Sequence, residues 1–326
     1  MYKRQSQHPT RVGAHRPDQR RSAVKPVTAQ LEVEGRRIEL SNPDKSLYPD
    51  DGYRKRDVAE YYRSVADVMV PHTRGKPLTL RRFPDGIGSG GFFQKEASDY
   101  FPDWVRVEAV PQRGAAGAVH HVVLDDAATL LYLMNQACLE FHIVLSTVED
   151  LEHPVLVVLD LDPPEGVPLP ELRGVVRLMC ERFRDAGLSP RVQATGGKGF
   201  HVAAPLRGER GFDEVRAGMR ALAEQAVRDE PDRLTVEQRK DKRGDRIFLD
   251  TNRNAYGQTM IAPYSLRARP GAPAATPLDL NELGRVAPQS YGLANMARRL
   301  AQKEDPWAGL EDTRYGSDFP HPDKHD

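Results

Sequence analysis

The sequence predicts an α+β domain, a mixed central sheet with flanking helices, from three observations. The aliphatic run Leu156-Val157-Val158-Leu159-Asp160-Leu161-Asp162 is bounded by Pro154 and by Pro163-Pro164-Glu165-Gly166, and so reads as a strand buried on both faces. Leu172, Val175, Val176, Met179, Cys180 and Phe183 recur at helical spacing before a stop at Gly187. Arg191 to Ala194 then returns as a strand, which completes a strand-helix-strand unit.

The bulk composition bounds the class of protein. With 326 residues and 39% hydrophobic content, the chain can bury a full core. Lys+Arg and Asp+Glu balance at 47 each, but seven basic side chains lie in the first 26 residues against Asp18 alone. The rest of the chain is therefore mildly acidic, and any polyanion site in it must be a local patch. Only Cys138 and Cys180 occur, both in apolar patterns read as helical, which excludes a disulfide framework or a cysteine zinc cluster. No stretch has the roughly 18 apolar residues needed to cross a bilayer, and no signal core begins the chain. A reducing, cytoplasmic location is expected.

Taken in order, residues 1–28 lack apolar periodicity and read as a disordered basic tail. Gln30 to Leu40 alternates around Glu34-Gly35, a hairpin signal. A turn-rich loop, Ser41 to Pro49, precedes a helix from about Asp57, with Val58, Tyr61, Tyr62, Val65 and Met69 on its apolar face. Lys45 and Lys55 flank this loop and helix start. There they are solvated, or they hold a phosphate beside helix amides. Leu78 to Phe83 reads as a strand, and the glycines from Gly86 to Gly91 deliver Phe92-Phe93-Gln94-Lys95. Both rings cannot point inward from an extended segment, so one is left for a domain edge or for stacking on a base.

Strands are expected over Val105–Val110 and Val119–Leu124, followed by a helix capped by Asp126. That helix carries Leu130, Leu131, Met134, Cys138 and Phe141, with His142 at its C-terminal end. Beyond the central unit, a helix from about Phe212 to Arg228 leads to a basic turn, Arg239 to Arg246, and to the strand Ile247-Phe248-Leu249-Asp250. A helix near Ser290 to Leu300 closes a domain spanning 29–304. Residues 305–326 read as a loose polar tail.

Chemistry concentrates at three places. Asp160 and Asp162, at i and i+2 on one strand, present two carboxylates to one side, where they cap backbone amides or hold a hard divalent cation. The loop Thr195-Gly196-Gly197-Lys198-Gly199-Phe200-His201 offers a hydroxyl, a cation and an imidazole on a backbone able to approach a phosphate closely. It is not a Walker loop, because Gly199 follows Lys198. Lys-Gly-Phe-His-Val partly mimics the RNP1 pattern of RNA-recognition modules. Asp250 supplies a third strand-end carboxylate. Three such carboxylates suit two-metal phosphoryl transfer, with the basic loop on a triphosphate.

In this order, these residues resemble the polymerase domain of bacterial ligase D, within the archaeo-eukaryotic primase superfamily. The resemblance covers about residues 30–300. It rests on Asn42-Pro43-Asp44-Lys45 with Leu47-Tyr48-Pro49, Phe92 to Lys95, Asp160 to Pro163, Gly196 to His201, Asp250, and Ala262-Pro263-Tyr264-Ser265-Leu266-Arg267. It implies a primase-polymerase fold with an RRM-like catalytic half, and a template-directed nucleotidyltransferase filling gaps at DNA ends in non-homologous end joining. It further implies two Mn2+ or Mg2+ ions on Asp160, Asp162 and Asp250, and an incoming NTP or dNTP held by Thr195, Lys198, His201 and Arg267.

His142 and Arg243 match active-site positions of the family. Lys45 and Lys55 correspond to residues that recognise a 5′-phosphate on DNA, and Phe92 and Phe93 to residues that stack on bases. Ku and a separate DNA ligase are implied partners, at the nucleoid, because the chain has no room for a ligase domain of its own. A primase-polymerase of excision repair or priming, or a silent end-bridging module, are the alternatives.

Overall fold

The computed structural model describes residues 28–310. The expected basic tail lies outside them except for Thr28, which belongs to the first strand. Strands β1 (Thr28–Val33) and β2 (Arg36–Ser41) form the predicted hairpin, closed by Glu34 and Gly35 at φ 49° and 74°. Two positive φ values in a two-residue turn match the twist of the paired strands. Short strands β3 (Ser46–Tyr48) and β4 (Tyr53–Arg54) lead into α1 (Lys55–Thr73), which starts ahead of the expected Asp57. Next come β5 (Leu78–Arg82), β6 (Phe92–Gln94) and the hairpin of β7 (Val107–Pro111) with β8 (Ala118–Val122).

The helix α2 (Ala127–Asn135) has the predicted cap: the Asp126 carboxylate accepts from the Thr129 amide at 2.6 Å. It is shorter than expected. Cys138, Phe141 and His142, placed on its last turns by spacing, instead lie on β9 (Cys138–Val144), after a reversal at Ala137 with φ 61°. Since β9 is covered on both faces, its side chains do not alternate, and a run of that kind mimics helical spacing.

The central unit is as predicted: β10 (Leu156–Asp162), α3 (Leu169–Asp185) and β11 (Arg191–Ala194). Then follow β12 (Phe200–Pro205), α4 (Phe212–Asp229), β13 (Leu234–Thr235), β14 (Ile247–Asp250), β15 (Thr259–Ile261) and β16 (Thr276–Leu278). The last helix, α5, is confined to Met296–Leu300. Residues from Ser290 stay in turns because the Asn295 side chain accepts from Gly292 N and donates to Ser290 O.

Two sheets organise the domain. One runs β13-β14-β10-β12-β11-β16 and the other β15-β9-β5-β6. Within the first, β12 lies between β10 and β11 and is antiparallel to both, while β14 is antiparallel to β10. The order β14-β10-β12-β11, with α3 and α4 as crossovers, is the split βαβ arrangement of an RRM-like half.

Alternation on β10 then decides where the site is. Val157, Leu159 and Leu161 pack with Val175, Met179 and Phe183 of α3 and Val215 and Met219 of α4. Leu156 and Val158, on the opposite side, join the core built on α1, α2, β5 and β9. Asp160 and Asp162 continue that second side and emerge where this core ends.

The chain end departs from expectation. Asp305 accepts from Tyr264 Oη at 2.7 Å and lies 2.6 Å from His72 Nε2, and fully buried Trp307 donates from Nε1 to Val192 O at 3.0 Å. Packing thus continues past residue 304, since a buried tryptophan outweighs the polar residues around it. Trp307→Ala should cost about 3–5 kcal/mol in urea unfolding, the range for emptying a large aromatic site.

Candidate active site

Sheet register assembles the site. Asp160 pairs with His201 on one neighbouring strand and with Asp250 on the other. Directly opposed residues share a sheet face, so His201, Asp160 and Asp250 form one row, with Asp162 two residues further on the same side. The row is held by Asn254, buried just beyond Asp250. Its Oδ1 accepts from Val158 N at 2.9 Å, and its Nδ2 donates to Val158 O at 2.6 Å. His201, Asp160, Asp162 and Asp250 line one cleft with His142, Thr195, Lys198 and Arg267. It spans about 840 Å³ of space, counted out to the open solvent at its mouth.

The glycine loop is closed by its own atoms. Thr195 Oγ1 donates to Gly199 O at 2.8 Å and accepts from Gly197 N at 3.1 Å, so this hydroxyl shapes the loop and keeps one lone pair in reserve. Pro288 O accepts from Gly196 N, and Gln289 donates to Gly197 O. Lys198 is half-exposed at the mouth, with Nζ 3.5 Å from Glu165. Arg267 donates to Thr195 O and Glu140 Oε1, both at 3.3 Å.

Electrostatics explain the arginines. Burial pushes the Asp160 carboxyl up, but His201 and Arg253 outweigh it and hold it below the ordinary range. Asp162 is raised, first by burial and then by the charge of Asp160, with partial relief from Arg243, Lys240 and Lys198. Arg243 lies 3.4 Å from Asp162 and stacks 3.6 Å over Phe248, which pairs with Asp162 in register. Arg253 Nε stands 3.4 Å from Asp160 and 3.8 Å from Asp250.

Among the described residues no three His, Cys, Asp or Glu side chains close on a single point where a metal ion could sit. Asp160 and Asp250 share an arginine instead. The donor chemistry nevertheless fits hard cations. The ligands are carboxylate oxygens, two of them repel, and positive charge is already drawn between the strands.

Of the remaining predicted residues, the two phenylalanines border the cleft and the two lysines do not. Phe92 and Phe93 are both exposed, at 48% and 62%, because β6 is a short edge strand without a covering layer. The Phe93 ring meets His142 edge-on at 5.8 Å, which puts the aromatic pair at the border of the cleft. Lys45 and Lys55 lie elsewhere, joined by a hydrogen bond from Lys55 N to Lys45 O at 2.8 Å. Lys45 Nζ pairs with exposed Asp85, and Lys55 Nζ donates to Ser41 Oγ. Burial and the neighbouring Lys45 charge lower Lys55 to about 8. Two ammonium groups that repel at one spot favour an anion there.

Two residues escaped the sequence reading. Arg253 could have been found by its spacing of three from Asp250, which a tight turn converts into a return to the strand end. Glu140 could not, since it was hidden in a segment read as helix. It is 1% exposed, and its carboxylate takes hydrogen bonds from Arg267, from Ala268 N at 2.9 Å and from His142 Nε2 at 3.1 Å. Burial opposes its charge, but His142, Arg267 and that amide hold it down at about 2. Burial in turn lowers His142, so a neutral ring donates from Nε2 and leaves Nδ1 as an acceptor.

Comparison with known proteins identifies the family. Residues 54–307 match the family model described as LigD, primase-polymerase domain. The chain is 31% identical over 277 residues to the multifunctional non-homologous end joining protein LigD of Mycolicibacterium smegmatis, covering 84% of this chain and 36% of that protein. It is 30% identical over 281 residues to its namesake from Pseudomonas aeruginosa, covering 85% and 33%. The chain therefore spans about a third of the curated relatives it matches. A solved structure, the polymerase domain of Mycobacterium tuberculosis ligase D in complex with DNA, superposes with a TM-score of 0.79 at 29% identity, covering 86% of this chain and 99% of that one. No helix among the described residues is long and apolar enough to cross a membrane. With residues 54–307, most of the chain's length, matched by the family model, this protein belongs to the LigD primase-polymerase domain family.

Proposed function

We propose that this chain extends the 3′ end of a DNA strand by template-directed addition of nucleotides, filling gaps at broken ends in non-homologous end joining. The observation that carries the proposal is the row His201–Asp160–Asp250 facing the Lys198 loop across one cleft. Asp160, Asp162 and Asp250 would hold two divalent cations, Mn2+ or Mg2+, which when bound acidify the attacking 3′-hydroxyl and offset charge on the triphosphate. Lys198 and Arg267 reach the triphosphate from the loop side, and His201 lies beside Asp160 to donate to it. Glu140 fixes Arg267 and the tautomer of His142. Phe92 and Phe93 stack on bases where the template bends away. The names of the relatives support the repair setting, in which we place Ku and a DNA ligase as partners.

The test is extension of a labelled primer on a gapped duplex, with ribonucleotides and deoxynucleotides in separate arms. Addition of the nucleotide complementary to the template is expected. Untemplated addition, or none with either metal, refutes the proposal.

The lysine pair gives a second expectation. A 5′-phosphate at the gap should tighten binding by about tenfold, the worth of one charge-assisted contact, and Lys45→Ala with Lys55→Ala should erase the difference. Lys55 is charged below its value of about 8, so in the free protein the preference should weaken as pH rises through 8 to 9. Equal affinity of wild type for both ends at pH 7 would refute this assignment.

A further inference from the structure

We propose that Glu140 is a positioning residue that couples stacking of a DNA base on Phe93 to the holding of a nucleoside triphosphate by Arg267 and His142. The inference rests on the functional reading above.

Four contacts close a circuit. Arg81 lies over the Phe93 ring at 5.2 Å and donates to Glu140 at 3.3 Å. Glu140 accepts from His142 at 3.1 Å, and His142 returns to Phe93 at 5.8 Å. Sheet pairing makes the circuit rigid, because Arg81 opposes both Phe93 and Glu140 across adjacent strands. Two spokes leave it for the nucleotide side, from Glu140 to Arg267 Nε and to the Ala268 amide. Among the described residues Glu140 is thus the group that hydrogen-bonds both the arginine over the stacking platform and the triphosphate arginine.

A buried carboxylate answers to every charge around it, since little solvent screens the interaction. Arg81 is the least anchored partner. Its Nε is buried without a hydrogen-bond partner, and its remaining contacts are the faces of Phe83 and Phe93. A base laid on Phe93 competes for the ring that Arg81 covers and shifts the guanidinium. Glu140 then redistributes its hydrogen bonding between Arg81 and the Arg267 pair. By linkage, a nucleotide that engages Arg267 must change affinity for the stacked DNA by the same factor.

The experiment measures that factor with the full chain. Binding of a fluorescent, 5′-phosphorylated gapped duplex is titrated with Mn2+, with and without a triphosphate carrying an α,β-methylene bridge. In wild type the nucleotide should tighten DNA binding by about fivefold or more, at the lower end of allosteric coupling. Glu140→Gln and Arg81→Met should each bring the factor below about twofold. The Arg81 side chain is 31% exposed, against 1% for Glu140, so its variant keeps the test open should Glu140→Gln fail to fold. Lys198→Ala is the control: it weakens nucleotide binding, yet the factor at saturating nucleotide persists. A merely structural Glu140 would lower both affinities and leave the factor unchanged, which overturns the proposal. So does a factor near one in wild type that binds both ligands. Failure of wild type to bind either ligand removes the functional reading as well.

Discussion

Asp250→Asn should abolish nucleotide addition, by about 10⁴-fold as for loss of one member of a catalytic unit, while gapped-DNA affinity stays within about twofold. The substitution removes one charge and little else. Asp250 Oδ1 accepts from Asn252 N at 2.9 Å, and an asparagine oxygen can take the same bond, so the turn that returns Arg253 and Asn254 to β10 survives. Ile247, Phe248 and Leu249 remain buried and hold the strand in register. The groups assigned to DNA lie outside this row, Lys45 just before β3, Lys55 at the start of α1 and the two phenylalanines on β6. What changes is the catalytic face. Arg253 keeps Asp160 alone, and the oxygen set that would hold the cations loses a charge. Alanine would remove the turn hydrogen bond too, so asparagine separates charge from folding. Parallel measurement of primer extension, DNA binding and thermal unfolding decides it. Extension at the wild-type rate, with an unchanged unfolding midpoint, would dismiss Asp250 from the site.

The acids themselves were legible because each ends a short apolar strand, a local pattern. Their register was not. That Asp160 opposes both Asp250 and His201 depends on how three distant strands align, and no local spacing encodes it. The same distinction explains the segment from Cys138 to Val144. A strand buried on both faces loses its alternation, so local pattern assigned it to the preceding helix and hid Glu140, the carboxylate that organises His142 and Arg267. Phe92 and Phe93 are exposed together. Alternation left at least one ring outside, but an edge strand with three residues has no layer over either side, and both rings stay out. The end of the domain was misplaced because composition around Asp305 is polar. One buried tryptophan and the His72–Asp305 pair decide that segment through contacts with residues over a hundred positions away.

Gly199→Ala should be the most damaging single-methyl change in the glycine loop. A Cβ there would stand 1.8 Å from Leu161 O and 3.0 Å from its carbonyl carbon, on the peptide that joins Leu161 to Asp162. Glycine in a strand region where another backbone approaches closely has this signature. Either the loop or β10 must move, and both are pinned. The loop is tied by Thr195 to Gly199 O, by Gly196 N to Pro288 O and by Gln289 to Gly197 O. The strand is tied by Asn254 on both backbone atoms of Val158.

The expected cost is about 3 kcal/mol, the upper end for overpacking where nothing can yield. Displacing Asp160 and Asp162 by about 1 Å should further lower nucleotide addition by roughly 10²-fold in the molecules that stay folded. Gly197→Ala is the matched control, since its Cβ would meet only the side-chain atom Thr195 Oγ1 at 3.2 Å, a far smaller overlap than 1.8 Å to a backbone oxygen. Urea unfolding and primer extension on both variants separate the cases. If Gly199→Ala matches Gly197→Ala in stability and rate, the loop and the central strand are not in the close contact on which the geometry of the site depends.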